Sequence, residues 1–383
     1  ICSAGTSLAN CMHSLYRGER HPAPPTQFSL TGTHSFPVFE VREDFFAPDR
    51  WENNNVLRTS QLALTAAAEA VIDAGLDLDG LQHHRIGACL GTNVGSSMNN
   101  ESFYRDNVEG CDPYIPPVER FLLSNPTCSV MTEFHLSGPA QTVVNACSAG
   151  SDAIGIAASW INAGLCDAVI AGGADEMYQV TYLGFKSLFI NDDSPCKPFD
   201  AHRKGLNLGE GAAVLVLVSQ SFADKWHIAP RGYVRGYGCA SDAYHFTKPQ
   251  PDGKGLRRAI KEAMDSAGVN HGELAFVNAH GTGTIDNDLV ESTALGDMLP
   301  GVPFLSTKGY TGHTLGASGA IEAAFTIACL ETGRIPASAG FSVPDPQLPC
   351  QPVAQNTATI GSAAISETMA FGGNNAVPVS YTH

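Results

Sequence analysis

Basic residues are scarce in this chain. Lys and Arg total 22 against 38 Asp and Glu in 383 residues, a formal charge of −16 with histidine neutral. That balance argues against a nucleic-acid binder, which needs clustered positive charge to meet phosphates. Long apolar runs are missing as well. Nothing approaches the ~18 continuous apolar residues of a membrane span, and the N-terminus has neither the charged nor the apolar region of a secretory signal. The expectation is therefore a cytoplasmic protein with no membrane span. No initiator Met precedes Ile1-Cys-Ser-Ala-Gly5, which predicts that the opening strand has lost residues from its front. Cys and His pairs at zinc-ligand spacing are also lacking, and no metal is expected. There is no G-x-G-x-x-G after the first strand and no G-x-x-x-x-G-K-[ST], so the Gly-rich loops are not nucleotide cradles of those kinds. His83-His84, beside Arg85, reads as a solvated turn.

What is present is ordinary for a compact protein. With 43% hydrophobic and 16% charged residues the chain can bury a sizeable core. Its length suits two or three domains, or one large duplicated one. The 39 Gly and 23 Pro imply many tight turns and close backbone approaches. Eleven Cys follow no framework spacing, and Cys2, Cys11, Cys89, Cys239 and Cys329 sit among small or apolar neighbours. These predict reduced thiols that act as small core residues.

Short apolar runs alternate with helix-period segments along the whole chain, the pattern of an α/β protein. Residues 59–74 are Ala-rich, offer Thr59 or Ser60 as a cap and stop at Gly75, which predicts a helix packed on a sheet. Residues 85–92, 167–173, 211–218 and 274–278 read as buried strands. Two segments, 147–161 and 313–327, each begin at a reactive residue, are crowded with Gly and Ala and lack a solvent face. They predict two buried helices that cross closely, one from each half of a duplicated fold. The turn-rich residues 244–253 mark the boundary, giving halves 1–245 and 246–383.

Cys147 follows the strand-like 142–146 and opens the first buried helix. There a thiol feels the positive end of the helix, which favours a thiolate, and it has backbone N–H groups beside it for an oxyanion. A small Cys that only packs is the competing reading. His280 stands where a strand runs into the loop Gly281-Thr-Gly-Thr284, a better place for a site residue than a helix surface, though local hydroxyls could also hold it. His313, at the mouth of the second buried helix, could by itself be a capping residue.

Taken in order, Asn145-Ala-Cys-Ser-Ala-Gly150, Asn278-Ala-His-Gly-Thr-Gly-Thr284, Thr307-Lys-Gly-Tyr-Thr-Gly-His-Thr-Leu-Gly-Ala-Ser-Gly319 and Phe371-Gly-Gly-Asn-Asn375 resemble the elongating β-ketoacyl-[acyl-carrier-protein] synthases. The likeness extends over essentially the whole chain, including Lys197-Pro-Phe-Asp200 and Leu208-Gly-Glu-Gly211. It implies the thiolase-like fold, a five-layered αβαβα duplication usually dimeric, and decarboxylative condensation of a Cys-bound acyl chain with a malonyl group on acyl carrier protein. By that resemblance Cys147 is the nucleophile. His280 and His313 hold the malonyl thioester as neutral imidazoles, Lys308 lies beside them, and the Phe371 backbone N–H completes the oxyanion hole with that of Cys147 while its ring gates the acyl pocket. Asp288 and Glu291 match acidic positions expected to order Lys308 and His280; a solvated helix start explains Asp288 nearly as well. No cofactor is implied.

The chain departs from the family pattern at several points. Met369 and Ala370 replace a phenylalanine and a glycine of the gate loop, predicting a stiffer or reshaped gate. Ile285 replaces a frequent proline, and Gly205-Leu-Asn-Leu208 differs from the common aromatic version. Carrier docking by resemblance falls to Arg58, Arg120, Arg203 and Lys204, with Arg50 as a further candidate. That sparse patch fits a specialised carrier or a partner subunit that adds docking surface. The competing readings are a fatty-acid elongase, a discrete polyketide or aryl-polyene ketosynthase paired with a chain-length-factor homologue, and a non-catalytic partner subunit. A cysteine hydrolase would leave Lys308 and the second histidine unexplained. Acyl carrier protein and a homodimer or heterodimer are the expected partners.

Overall fold

The computed structural model describes residues 1–383 except 31–33, 52–54, 77–83, 94 and 383, so the reading of His83 lies outside the described residues. Its architecture is two mixed sheets with helices outside and between them. The first sheet contains β1 (Ile86–Gly91), β2 (Ala140–Val143), β3 (Ala168–Asp175) and β4 (Gly211–Val218) in the order β2-β1-β3-β4. The second contains β5 (Tyr233–Ser241), β6 (Leu274–Asn278), β7 (Phe304–Leu305), β10 (Ala363–Ser366), β11 (Thr368–Ala370) and β12 (Asn374–Tyr381). A small ribbon pairs β8 (Arg334–Ile335) with β9 (Thr357–Ala358).

The two sheets repeat one plan. In each, a central strand pairs in parallel with a strand on either side, β1 with β2 and β3, β6 with β7 and β10. The next strand is antiparallel in both, β4 on β3 and β12 on β10. An antiparallel edge follows, formed by β5 on β12 and, in the first sheet, by Cys2 bridging Gly211. The chain therefore changes sheets between β4 and β5, ahead of the turn-rich residues 244–253. Repetition of order and direction is what a duplicated α/β fold requires.

Helices α1 (Leu8–Arg17), α2 (Arg58–Asp73), α3 (Glu101–Val108), α4 (Pro116–Leu123), α5 (Pro126–Glu133), α6 (Ala149–Asn162), α7 (Gln179–Ser187) and α8 (Gln220–Trp226) belong to the first half. The second half adds α9 (Lys254–Ala267), α10 (Ile285–Met298), α11 (Lys308–Thr311) and α12 (Ser318–Thr332). Helix α2 covers the outer face of the first sheet and α9 that of the second, while α6 and α12 lie between the sheets and touch both. That makes five layers. Neither Thr59 nor Ser60 caps α2. The cap position is Leu57, and both hydroxyl residues lie inside the helix, with Ser60 Oγ donating to Ser124 O at 2.6 Å.

The small residues of the middle layer have a steric cause. A Cβ added at Gly150 would lie 2.9 Å from Ala320 N and from Gly316 O, and one at Gly319 would lie 2.0 Å from Ser151 Oγ. Only Gly lets α6 and α12 cross this closely. Among the described residues, no helix is long and apolar enough to cross a membrane.

Candidate active site

Cys147 and His313 each sit ahead of their helix rather than on it. Cys147 follows Ala146, held at φ 48°, and helix α6 starts only at Ala149. His313 is followed by Leu315 at φ 54° and a single 3₁₀ turn before α12 starts at Ser318. Positive φ at a residue with a side chain is costly, and here it falls beside each reactive group, just before Cys147 and two residues after His313. His280 leaves β6 through Gly281 at φ 37°, where a Cβ would lie 2.5 Å from Ser306 Cβ and 2.6 Å from the Phe199 ring.

Three segments from both halves thus meet. Ligand-type atoms of Cys147, His280 and His313 all lie within 4.8 Å of one another, and all three residues are buried. The imidazole centroids are 5.2 Å apart at 86°. A cavity of about 360 Å³ opens onto them, lined on its apolar side by Phe185, Leu188, Met369 and Phe371 and on its polar side by Lys204, Thr282 and Thr284. A second cavity of about 430 Å³ runs along β4 beside Arg231 and contains none of these residues.

Hydrogen bonds fix which imidazole nitrogen faces the cavity. Lys308 Nζ, which has only donors, lies 3.0 Å from His280 Nδ1, so that nitrogen accepts and the proton resides on Nε2. The Leu315 N–H donates to His313 Nδ1 at 3.1 Å, with Ser318 Oγ at 3.4 Å, and the same assignment follows. Both rings therefore offer Nε2–H. Burial, then the positive charge of Lys308, holds both histidines well below the ordinary value, so they are neutral.

Cys147 departs from the thiolate expected of a helix N-terminus. Burial dominates and pushes its thiol up to about 11, against the opposing pull of the Phe371 backbone N–H and the Lys308 charge. The resting residue is a thiol. The Phe371 ring stacks on Phe185, with centroids 5.5 Å apart at 13°, and closes the apolar side of the cleft.

Lys308 is held by a residue that the sequence reading passed over. Glu322, on α12, forms a buried ion pair with Lys308 Nζ, and burial lifts its own carboxyl to about 7. Its signal was available, as an acid in the middle of a helix of small and apolar residues. Glu291 accepts the N–H groups of His280 and Gly281, the latter at 2.7 Å, and so positions the histidine turn. Asp288 does neither job expected of it. It is fully buried, not solvated, and accepts from the Phe199 N–H at 2.7 Å and the Gly283 N–H at 3.2 Å, which ties Lys197-Pro-Phe-Asp200 to the loop after His280.

Two further positions were missed. The Asn207 carbonyl accepts the His313 N–H at 2.8 Å while its side chain bonds Cys196 N and Asp192 O. Asp175, at the end of β3, accepts from Gly316 N at 2.7 Å and Asn93 N at 2.8 Å, below the His313 turn. The residues they hold in the His313 turn, His313 and Gly316, are more than a hundred residues away in sequence, beyond any local pattern.

The docking candidates separate. Arg58 is turned inward in a two-point pair with Glu210, at 2.6 and 3.0 Å, and Arg203 is buried against Asp345 at 2.6 Å with Asp288 at 3.6 Å. Both charges are paired with carboxylates, Arg203 within the protein and Arg58 partly exposed. Arg120 is half-buried and donates to Asn55 O, whereas Lys204 is exposed at the cavity mouth. Arg50 is exposed over the Trp51 ring.

The chain is similar to known proteins along its length. The model of the β-ketoacyl synthase N-terminal domain matches residues 18–223, and that of the C-terminal domain matches residues 231–342. A Synechocystis protein named 3-oxoacyl-[acyl-carrier-protein] synthase 2 is 33% identical over 98% of this chain and 94% of its own length. The solved ishigamide ketosynthase/chain length factor superposes with a TM-score of 0.91 at 31% identity, covering 100% of this chain and 97% of that one. A ketosynthase in complex with its chain length factor from Xenorhabdus doucetiae gives 0.87 at 28% identity, covering 100% and 96%.

Proposed function

The chain belongs to the β-ketoacyl synthase family, has its thiolase-like fold and is an elongating ketosynthase, an acyltransferase; from that premise we propose how its residues condense acyl and malonyl groups delivered by acyl carrier protein. The observation that carries the assignment is that both Nδ1 atoms are taken by donors, so two Nε2–H groups converge beside Cys147.

In the first step the Cys147 sulfur attacks the acyl thioester. Its proton ends on the departing carrier thiol, so no strong base is needed, and the acyl chain is now held on Cys147. The backbone N–H groups of Cys147 and Phe371 receive the oxyanion. In the second step the malonyl thioester oxygen accepts from His280 and His313. The carboxylate leaves as CO₂, and its C–C electron pair becomes the enolate that both imidazoles stabilise without carrying charge themselves. The enolate carbon attacks the acyl-Cys147 carbonyl, the C–S bond breaks, and the freed thiolate takes one proton from solvent to restore the resting thiol. Lys308 keeps His280 in the donor tautomer. The first half supplies the nucleophile and the second half both histidines.

His280→Ala and His313→Ala test the division of labour. Each retains acyl mass on Cys147 while CO₂ release from malonyl carrier falls by roughly 10²-fold or more. Loss of acylation with CO₂ release intact contradicts the assignment.

The partner we favour is a chain-length-factor-like homologue. The apolar residues Tyr104, Val108, Tyr114, Ile115, Leu122 and Leu123 of the α3–α4 region stand exposed, which supports a covering subunit. Two neighbours solved as ketosynthase with chain length factor support its kind. A homodimer is the alternative. Native mass of the chain alone and with such a homologue distinguishes the two. A cytoplasmic workplace fits either arrangement.

A further inference from the structure

The turn that presents Cys147 is held by a chain of hydrogen bonds that the condensation steps do not use. Asp152, on the first turn of α6 and buried, receives three donors. Asn145 Nδ2 reaches its Oδ2 at 2.5 Å, and Ser148 Oγ lies 2.9 Å from the same oxygen. Tyr237 OH, on β5 of the second sheet, donates to Oδ1. Gly155 makes room for that contact, since a Cβ there would lie 2.6 Å from the Tyr237 ring. Burial, then the Asp152 charge, raises the phenol well above its ordinary value, so Tyr237 stays a donor.

A carboxylate has acceptors only, so Asn145 must turn its amide nitrogen towards Asp152 and its amide oxygen away. That oxygen accepts from Asn374 Nδ2 at 2.7 Å. Asn374 pairs with Ala370 where β11 meets β12, and Gly373 N donates to Ala370 O at 3.0 Å to close the tip of the hairpin. Phe371 lies in that tip. The chain Tyr237, Asp152, Asn145, Asn374 thus runs past the strained turn at Ala146 to the hairpin that carries the Phe371 N–H. Ser148, with one proton to give, also lies 2.8 Å from Asn145 O and ties the far side of the Cys147 turn to the same residue.

We propose that Asp152 is a positioning residue that sets the spacing of the two oxyanion donors, the N–H groups of Cys147 and Phe371, by fixing Asn145 between the nucleophile turn and the gate hairpin. The developing oxyanion needs both donors at once, so slack between them lowers the rate rather than the binding of carrier. The proposal rests on the roles given above to Cys147 and Phe371, so one of its two readouts uses no acyl substrate.

Asp152→Asn keeps the size of the side chain but sets an N–H where a donor already points. Single-turnover transfer of an acyl chain to Cys147, followed by intact mass, should slow roughly tenfold or more, with KM for acyl carrier little changed. Exchanging the two groups, Asn145→Asp with Asp152→Asn, rebuilds the chain in the opposite sense. The amide at position 152 then donates to the carboxylate at position 145, which still accepts from Asn374, while the amide oxygen accepts from Tyr237. The exchange should restore most of the rate, whereas Asn145→Asp alone, which sets two carboxylates face to face, should not. Iodoacetamide reads the turn without any acyl group. At a temperature where the variant is fully folded, Asp152→Asn should expose the buried thiol and quicken alkylation of Cys147 several-fold, and the exchange should reverse this. Acylation by Asp152→Asn at the wild-type rate overturns the proposal. So does an exchange that recovers neither rate, or a slowing carried wholly by KM. If the protein accepts no acyl chain from any carrier, it is the functional reading that fails, and the alkylation rates still decide whether Asp152 holds the Cys147 turn.

Discussion

A cysteine buried at 4% exposure between two neutral imidazoles behaves differently from one at an open helix end. The field of a helix terminus is worth about 0.3–1 kcal/mol at the surface, less than the burial that carries Cys147 to about 11. Alkylation of Cys147 by a small neutral reagent should accordingly quicken roughly tenfold per pH unit up to that value. A plateau near pH 7 would mean that a thiolate is already present. Both histidines should stay neutral at pH 6.5, where an ordinary exposed histidine is half-protonated, because burial and Lys308 oppose their charging. Imidazole NMR shifts followed down in pH read this directly, and titration of either ring near 6.5 would remove its role as a neutral donor. At this scale the sequence revealed Cys147, His280, His313, Lys308 and Phe371 through their motifs. It did not reveal Glu322 as the partner of Lys308, nor that Arg58 and Arg203 face inward. Those facts depend on acids 14, 152 and 142 residues away, brought close only by the fold.

Helices α6 and α12 carry the site because they cross with almost no side chain between them. Gly150→Ala and Gly319→Ala should each destabilise the protein by about 1–3 kcal/mol through overpacking, and should slow condensation because the crossing sets the Cys147 to His313 distance. Gly184→Ala is the contrasting case. Nothing lies within 4 Å of its added Cβ and it sits in the exposed face of α7, so it should stabilise by about 0.5–1 kcal/mol. Urea denaturation of the three variants checks the order, and equal effects would refute the packing account. Strands β4 and β6 were legible to the residue because continuous apolar runs between Gly and polar stops leave little choice. The two central helices were read as starting at Cys147 and His313, two and five residues early. Small residues continue the helical pattern backwards, while the strained turns at Ala146 and Leu315 have no sequence mark of their own.

At the scale of the molecule, two repeated sheets bring Cys147 from one half and both histidines from the other to a shared cleft, and neither half holds the full set. The two Gly- and Ala-rich segments already predicted that duplication, and the repeated strand order expresses it physically. With Arg58 and Arg203 paired to carboxylates, Lys204, exposed at the cavity mouth, is the candidate with its charge free for carrier contact at the pocket itself. Lys204→Glu should raise KM for acyl carrier several-fold, more at low salt, and leave kcat nearly unchanged. A change confined to kcat would contradict a docking role. The central claim is that Cys147 takes an acyl chain and gives it up to a decarboxylated malonyl unit. Intact mass of the protein, with the homologous partner present, tests it after incubation with acyl carrier protein charged with saturated, polyenoyl or aryl chains, followed by malonyl carrier. The account predicts one acyl adduct, absent in Cys147→Ala, that disappears on malonyl addition as a chain two carbons longer forms on the carrier. An adduct that is hydrolysed without malonyl carrier, or condensation that survives Cys147→Ala, would contradict it.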